Sequence, residues 1–380
     1  VALIIIVIAV MAGQKGSDQS NNAGLATAKE PIKTGGSISL TGVAGEFGDM
    51  SKKAMDMAAE EINAKGGING RKVEILIEDD QTTPQGALSA YQKLANVNHA
   101  DALIGGIFDF TAHPIFPLSQ KDKIAFISPV NFVVDKTFEM NEQSFVMYPR
   151  FDKVVMELDS VIKDQKIQKL GMIRFESGFS ESIQNTLKQI MGTVSTTGGN
   201  KGEFVVDTYK AIGSSDFRTN ILKIKNENTD AVFLDMLDFD VVKYLDVART
   251  LGFKKQIIGY TSIREVVTNP KMKPADLADL EGAIILDWEI PSEEFSNAFY
   301  KKYGIVPLRG ADKSYEAVYA LAEAVGNTES PADVAKYLET HTFKTTNGTF
   351  SFGADHAVSN IQVKILQVKN GKLVEVKSNI

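Results

Sequence analysis

Cysteine is missing from all 380 residues, which excludes disulfides, thiolate metal sites, iron–sulfur clusters and a cysteine nucleophile together. Tryptophan occurs once, and the four histidines, His99, His113, His341 and His356, show no HExxH-type spacing. An excess of positive charge is lacking too: 41 Lys and Arg face 48 Asp and Glu, a net charge of −7. Basic pairs such as Lys52-Lys53, Lys254-Lys255 and Lys301-Lys302 are scattered and read as solvated surface, so no nucleic-acid partner is expected. There is no GxSxG, no GxxxxGK[ST] and no GxGxxG after a strand. Neither catalysis nor a metal or organic cofactor is therefore expected.

No apolar run reaches the roughly 20 residues of a spanning helix. Residues 1–12, VALIIIVIAVMA, are uninterrupted apolar residues. That length suits the h-region of a signal peptide, about 7–15 residues, although a basic n-region and an initial Met are missing. Residues 14–29 are small and polar and read as a tether. Met11-Ala12-Gly13 resembles the end of a lipobox, with Gln14 where the lipid-bearing Cys would stand. The body is expected outside the cytoplasm, with this segment either cleaved or kept as a membrane anchor.

What is present is ordinary for a folded chain: 43% hydrophobic and 23% charged residues, and a length that suggests two domains. Strand and helix signals alternate along it. Gly36-Ser-Ile-Ser-Leu40 alternates as a strand and runs into the glycine-punctuated loop Gly42–Gly48. A helix with Ala54, Met57, Ala58 and Ile62 on one face follows, stopped by Gly66-Gly67. Lys72–Ile77 reads as a strand, Pro84 opens a helix to about Asn98, and Ala102–Gly105 and Ile124–Ile127 are short strands flanking a helix over 111–122. The rhythm repeats to about 259. Helices near 292–303, 311–325 and 331–340 precede a strand-rich tail, where Asn370-Gly371 marks a hairpin. Short apolar strands alternating with helices predict an α/β protein of two doubly wound parallel-sheet lobes, divided first near 148–152. Ligands of such sheets lie beyond the carboxyl ends of the strands. The candidate loops are 41–49, 78–84, 105–111, 128–133, 174–180, 235–240 and 260–265.

Thr41-Gly-Val-Ala-Gly45-Glu-Phe-Gly48, Glu60-Glu-Ile-Asn-Ala-Lys-Gly-Gly-Ile-Asn-Gly-Arg-Lys72, Glu78-Asp79-Asp80 with Pro84, Ala102-Leu-Ile-Gly-Gly106 and Ile127-Ser-Pro129 occur in that order. Gly213-Ser-Ser-Asp-Phe217, Asp230-Ala-Val-Phe-Leu234, Ala248-Arg-Thr-Leu-Gly-Phe253, Tyr315–Glu323 and Leu366–Lys372 follow. Together they resemble the branched-chain amino-acid family of periplasmic solute-binding proteins over about residues 33–376. The resemblance implies the type I periplasmic binding fold, two lobes joined by three hinge crossings. It also implies capture of a small solute and its delivery to the permease of an ABC importer. With crossings placed near 149, 286 and 347, residues 1–34 form the export segment and tether. Residues 35–149 with 286–346 form the first lobe, and 150–285 with 347–380 the second.

The resemblance also marks a site, and the residues depart from it. Hydroxyls are usual after the Gly-Gly strand, but Phe108-Asp109-Phe110-Thr111 stands there. Thr111 is left as a donor to a ligand carboxylate, while Asp109 would repel one. Val130-Asn131-Phe132 replaces a small, hydroxyl-rich loop; Asn131 keeps a polar group and Phe132 adds apolar wall. Phe179 takes the place of a frequent Tyr. In the second lobe Asp235 or Asp238 would receive an ammonium, and Thr261 belongs to the loop 260–265. Phe47, Phe110 and Phe132 are read either as an aromatic lining or as core. Asp109 is read as a ligand contact or a helix cap, and Asp235 and Asp238 also as caps, Asp238 before Asp235. Arg150 and Arg174 would neutralise these acids or bridge at the surface. The expected ligand is a small polar solute, an amino acid first and an amine or amide as the alternative, bound either for transport or for sensing.

Overall fold

The computed structural model describes residues 29–130, 140–195, 199, 201–213, 216–288, 291–359 and 363–376. The apolar segment 1–12 and the site candidates Asn131 and Phe132 lie outside them. In chain order the first lobe begins with β1 (Ile32–Ile38), α1 (Gly45–Ala64), β2 (Val73–Asp79), α2 (Pro84–Asn96), β3 (Ala102–Gly105), α3 (Asp109–Ala112), α4 (Phe116–Asp122), β4 (Phe126–Ser128) and β5 (Ser144–Val146). The strands form one parallel sheet in the order β2-β1-β3-β4-β5. Helix α1 buries the expected stripe, Ala54, Met57, Ala58 and Ile62, against this sheet and ends before Gly66-Gly67. Helix α2 starts where Pro84 fixes φ and where the Thr83 hydroxyl accepts from Gly86 N–H at 2.9 Å.

The second lobe holds α5 (Phe151–Met156), α6 (Leu158–Asp164), β6 (Lys169–Phe175), α7 (Gly178–Met191), β7 (Glu203–Tyr209), α8 (Arg218–Asn226), β8 (Ala231–Asp235), α9 (Asp238–Thr250), β9 (Gln256–Tyr260), α10 (Thr261–Thr268), α11 (Pro274–Asp279) and β10 (Ile284–Asp287). The chain then returns to the first lobe with α12 (Glu293–Tyr303), α13 (Ala311–Asn327), α14 (Pro331–Thr340), β11 (Thr342–Thr345) and β12 (Gly348–Ser351), and ends with β13 (Lys364–Lys369) and β14 (Lys372–Glu375) in the second. The second sheet runs β14-β13-β10-β9-β8-β6-β7. It is parallel from β10 to β7 and antiparallel where β13 joins β10 and β14. Asn370 and Gly371, at φ +53° and +68°, make the expected hairpin turn between these last two strands.

Two expectations are corrected. The helix over 111–122 is two short helices: Pro114 has no N–H to carry the hydrogen-bond ladder onward, although His113 before it keeps helical φ and ψ. The last crossing is not near 347. β12 pairs with β11, and Phe343, Phe350, Phe352 and Val358 are buried in the core of the first lobe. Ala357 also bridges Val146 of β5. Burying three phenylalanines, at roughly 2 kcal/mol each, fixes the hairpin to that lobe, and the chain passes to the second only after Ser359.

Gly48 sets how closely α1 meets β1. A Cβ there would lie 1.9 Å from the carbonyl oxygen of Ser39, so only glycine lets the first turn approach the strand end. That approach brings Phe47 to the gap between the lobes. Gly106, at φ +75°, turns the chain after β3 into the loop that carries Phe108 and Asp109.

Candidate functional site

The carboxyl ends of both sheets face one cavity of about 110 Å³ between the lobes. The first lobe contributes Phe47, Ile107, Phe108, Asp109, Phe110, Val130 and Arg309. The second contributes Phe175 at the end of β6, Ser177, Phe179 and Ser180 at the start of α7, and Tyr209 at the end of β7. It adds Ile212, Asp235 at the end of β8, Met236, Leu237, Tyr260 at the end of β9, and Trp288 after β10. The walls are largely aromatic. Phe108 stacks on Phe110 with ring centroids 5.0 Å apart, and Trp288 meets Phe151 edge-on at 5.0 Å and Tyr260 at 5.9 Å. Phe151 in turn backs Phe179 at 4.6 Å. Such a surface favours a solute with a flat apolar body.

Asp235 is the most buried charge on this wall, 2% exposed. Its Oδ1 accepts from Tyr260 Oη at 2.6 Å. Burial pushes its carboxyl up to about 6; the Ser180 and Tyr260 hydroxyls, the Phe175 amide and the nearby Arg174 charge offset part of that cost. Burial, followed by the Asp235 charge, drives the Tyr260 phenol well above its ordinary range, so it stays protonated as the donor. Arg174 donates to the carbonyls of Phe175 and Ser177, both at 3.4 Å, which holds it behind the site.

Among the described residues, two polar contacts cross the cleft. Asp109, the first residue of α3, accepts from Phe110 N–H at 2.8 Å through Oδ1 and from Phe179 N–H of the other lobe at 3.4 Å through Oδ2. Arg309, ahead of α13, lies over the Phe47 ring at 5.1 Å and faces Glu265 of α10 at 3.7 Å. Burial raises the Glu265 carboxyl, and the Arg309 and Arg264 charges oppose the rise.

Of the residues expected at the site, Phe47, Asp109, Phe110, Phe179 and Asp235 line the cavity. Thr111 does not. It is fully buried, and its hydroxyl is spent on Phe108, donating to the carbonyl at 2.9 Å and accepting from the N–H at 3.1 Å. Thr261 is likewise buried, with its hydroxyl directed at Asp287 Oδ1, 3.4 Å away. Asp238 begins α9 behind Leu237; it makes no cap hydrogen bond and lies off the cavity wall. Arg150 pairs with Asp152 at 2.6 Å. Phe108, Phe175, Ser177, Ser180 and Tyr260 were missed although their loops were singled out. Tyr209, Trp288 and Arg309 were missed outright. Tyr209 was discoverable as the residue closing a strand; Trp288 lies at the crossing after β10 and Arg309 in the turn before α13, where no strand-end rule points.

A cavity at the strand ends of two hinged α/β lobes, apolar in its walls and tipped with a few buried polar groups, defines a class: proteins that enclose a small solute by lobe closure. The sequence profile described as periplasmic binding protein matches residues 31–372, and the chain belongs to that family. The chain is 23% identical over 346 residues to the Leu/Ile/Val-binding protein of Escherichia coli (strain K12), covering 85% of this chain and 87% of that protein. In fold it resembles the branched-chain amino acid transporter substrate binding protein LivJ from Streptococcus pneumoniae, solved with isoleucine. The TM-score is 0.75 at 20% identity, over 91% of this chain and 100% of that one. A solute binding protein of an ABC transporter from R. palustris, solved with benzoate, matches equally, with a TM-score of 0.75 at 18% identity over 91% and 95% of the two chains.

Proposed function

We propose that this protein is an extracytoplasmic receptor for a small organic solute, which it captures by lobe closure and delivers to the permease of an ABC importer. It captures and releases the solute without chemistry on it. The observation that carries this is the aromatic cleft at the carboxyl ends of both sheets, with Asp235 buried in its wall. Family membership supports the transport role. The names of the relatives, for leucine, isoleucine and valine, support an amino-acid-sized ligand with an apolar body. The apolar segment 1–12 fits export, and its retention would add membrane anchoring.

The chain carries its own reporter. Trp288 is the sole tryptophan and sits 4% exposed in the cleft wall. Amino acids, amides, amines, aromatic acids and sugars are screened by Trp emission and thermal shift together. A binder moves the Trp288 emission and, at a hundredfold excess over Kd, stabilises by about 2.7 kcal/mol. A panel in which no compound does both refutes the assignment.

A further inference from the structure

The features of the cleft that would accept an anion are each engaged within the protein itself, two of them by carboxylates. The first turn of α7 opens toward the cavity, but Phe179 N–H already donates to Asp109 Oδ2 and Ser180 N–H to Ser177 Oγ, at 3.4 and 3.1 Å. The Arg309 guanidinium is held between the Phe47 ring and Glu265. A ligand carboxylate entering here would meet Asp109 and Asp235 and find its natural partners engaged. The opposite holds for a cation. Asp235 Oδ2 is buried at the cavity wall without a close hydrogen bond, the Ser180 hydroxyl and Phe175 amide favouring the carboxylate only from a less direct position, while Oδ1 is satisfied by Tyr260. A carboxylate half-satisfied in an apolar enclosure is costly until a donor of opposite charge reaches it. The rings of Phe179, Tyr260 and Trp288 stand around it, and aromatic faces also attract cations.

Resting on the solute-receptor assignment above, we propose that the ligand is a primary amine on a flat apolar body, an arylalkylamine without a carboxylate. Its ammonium donates to Asp235 Oδ2 and its ring lies among the aromatic walls. Asp109 is then the specificity residue: it occupies the α7 N-terminus that an α-amino acid would use and links the two lobes in its place.

The full chain is titrated calorimetrically at pH 8 with phenethylamine, L-phenylalanine, L-leucine and 3-phenylpropanoate. Phenethylamine is expected to bind at least 100-fold more tightly than L-phenylalanine, and 3-phenylpropanoate to give no binding heat. Asp235→Asn is expected to cost the amine about 100-fold. Asp109→Asn is expected to narrow the preference over L-phenylalanine at least tenfold. Tighter binding of leucine or phenylalanine than of the amine overturns the inference and leaves the receptor assignment standing. So does undiminished amine binding by folded Asp235→Asn, or no response to the amine at all. Only silence across the whole screening panel counts against the receptor assignment.

Discussion

Asp235→Asn is expected to make the unliganded protein more stable while removing its ligand affinity. The Asp235 carboxyl, pushed up to about 6 from an ordinary 3.8, binds its proton more tightly in the folded chain than in the unfolded one. Between those two values the native state holds more protons, so this group's contribution to stability falls as pH rises through that window and levels off above it. At about 1.4 kcal/mol per tenfold, the gap costs roughly 3 kcal/mol at pH 8. Asparagine removes the charge but weakens the bond from Tyr260, a loss of about 1 kcal/mol. The net gain is about 1–2 kcal/mol, which raises Tm by about 3–6 °C for a cooperative unit of this size. Differential scanning fluorimetry of both proteins from pH 4 to 8 checks it. The advantage of the variant should shrink below pH 6, vanish at about 4.5 and turn slightly negative below it. With a bound amine at pH 8 the order should reverse, because only the parent gains the linkage stabilisation. A variant less stable than its parent at pH 8, or a gain independent of pH, refutes the view that Asp235 is an under-compensated charge waiting for a ligand.

Three further perturbations test the framework around the cleft. Lys313→Met removes a buried cation that bonds Glu316 at 2.7 Å and lies 3.4 Å from Asp312, so urea unfolding should show a loss of about 3–5 kcal/mol, partly restored by adding Glu316→Gln. Phe343→Ala empties a site between Phe350 and Phe352 and should cost about 3–5 kcal/mol. Hydrogen exchange should then quicken in β1 to β5; quickening in β6 to β10 instead would place the hairpin with the wrong lobe. Gly48→Ala should destabilise by about 2 kcal/mol in thermal melts, although alanine is the better helix former by about 1 kcal/mol, because its Cβ would meet the Ser39 carbonyl; a stabilised variant would refute the close approach.

The parts legible in the sequence were those governed by one-dimensional rules. Alternating apolar strands and a 3.6-residue stripe in α1 specify the layers, and strand ends locate the cleft loops, which is why Phe47, Asp109, Phe110, Phe179 and Asp235 lie on the cavity wall. What failed needed orientation or long-range packing. Thr111 and Thr261 sit in the right loops, but each begins or lies within a helical turn, and a rotation of about 100° per residue decides whether a side chain meets the cavity or its own backbone. Their hydroxyls point inward, so the loss of carboxylate donors is greater than the sequence suggested. Trp288 and Arg309 reach the cleft from the crossing after β10 and the turn before α13, where position depends on how two lobes meet. The phenylalanines of β11 and β12 read equally well as part of either sheet until the core of the first lobe claims them.

These misses bear on specificity more than on fold. With Thr111 and Thr261 turned away, the remaining polar side chains of the cleft are two serine and two tyrosine hydroxyls, the Trp288 indole, two acids and an arginine that faces a third acid. The balance of charge at the site is therefore negative, and around the buried Asp235 each unpaired charge weighs more than at the surface. An amino acid would bring its own carboxylate into that field and gain only one good partner, Asp235, for its two charges. An amine brings the partner and omits the penalty. The same comparison assigns Asp109 its place: without a ligand carboxylate to bridge the lobes, closure needs another anion at the start of α7, and Asp109 already accepts from Phe179 N–H there. Removing that bridge by Asp109→Asn should loosen closure and relax selectivity together, whereas a residue that merely capped α3 would change stability alone.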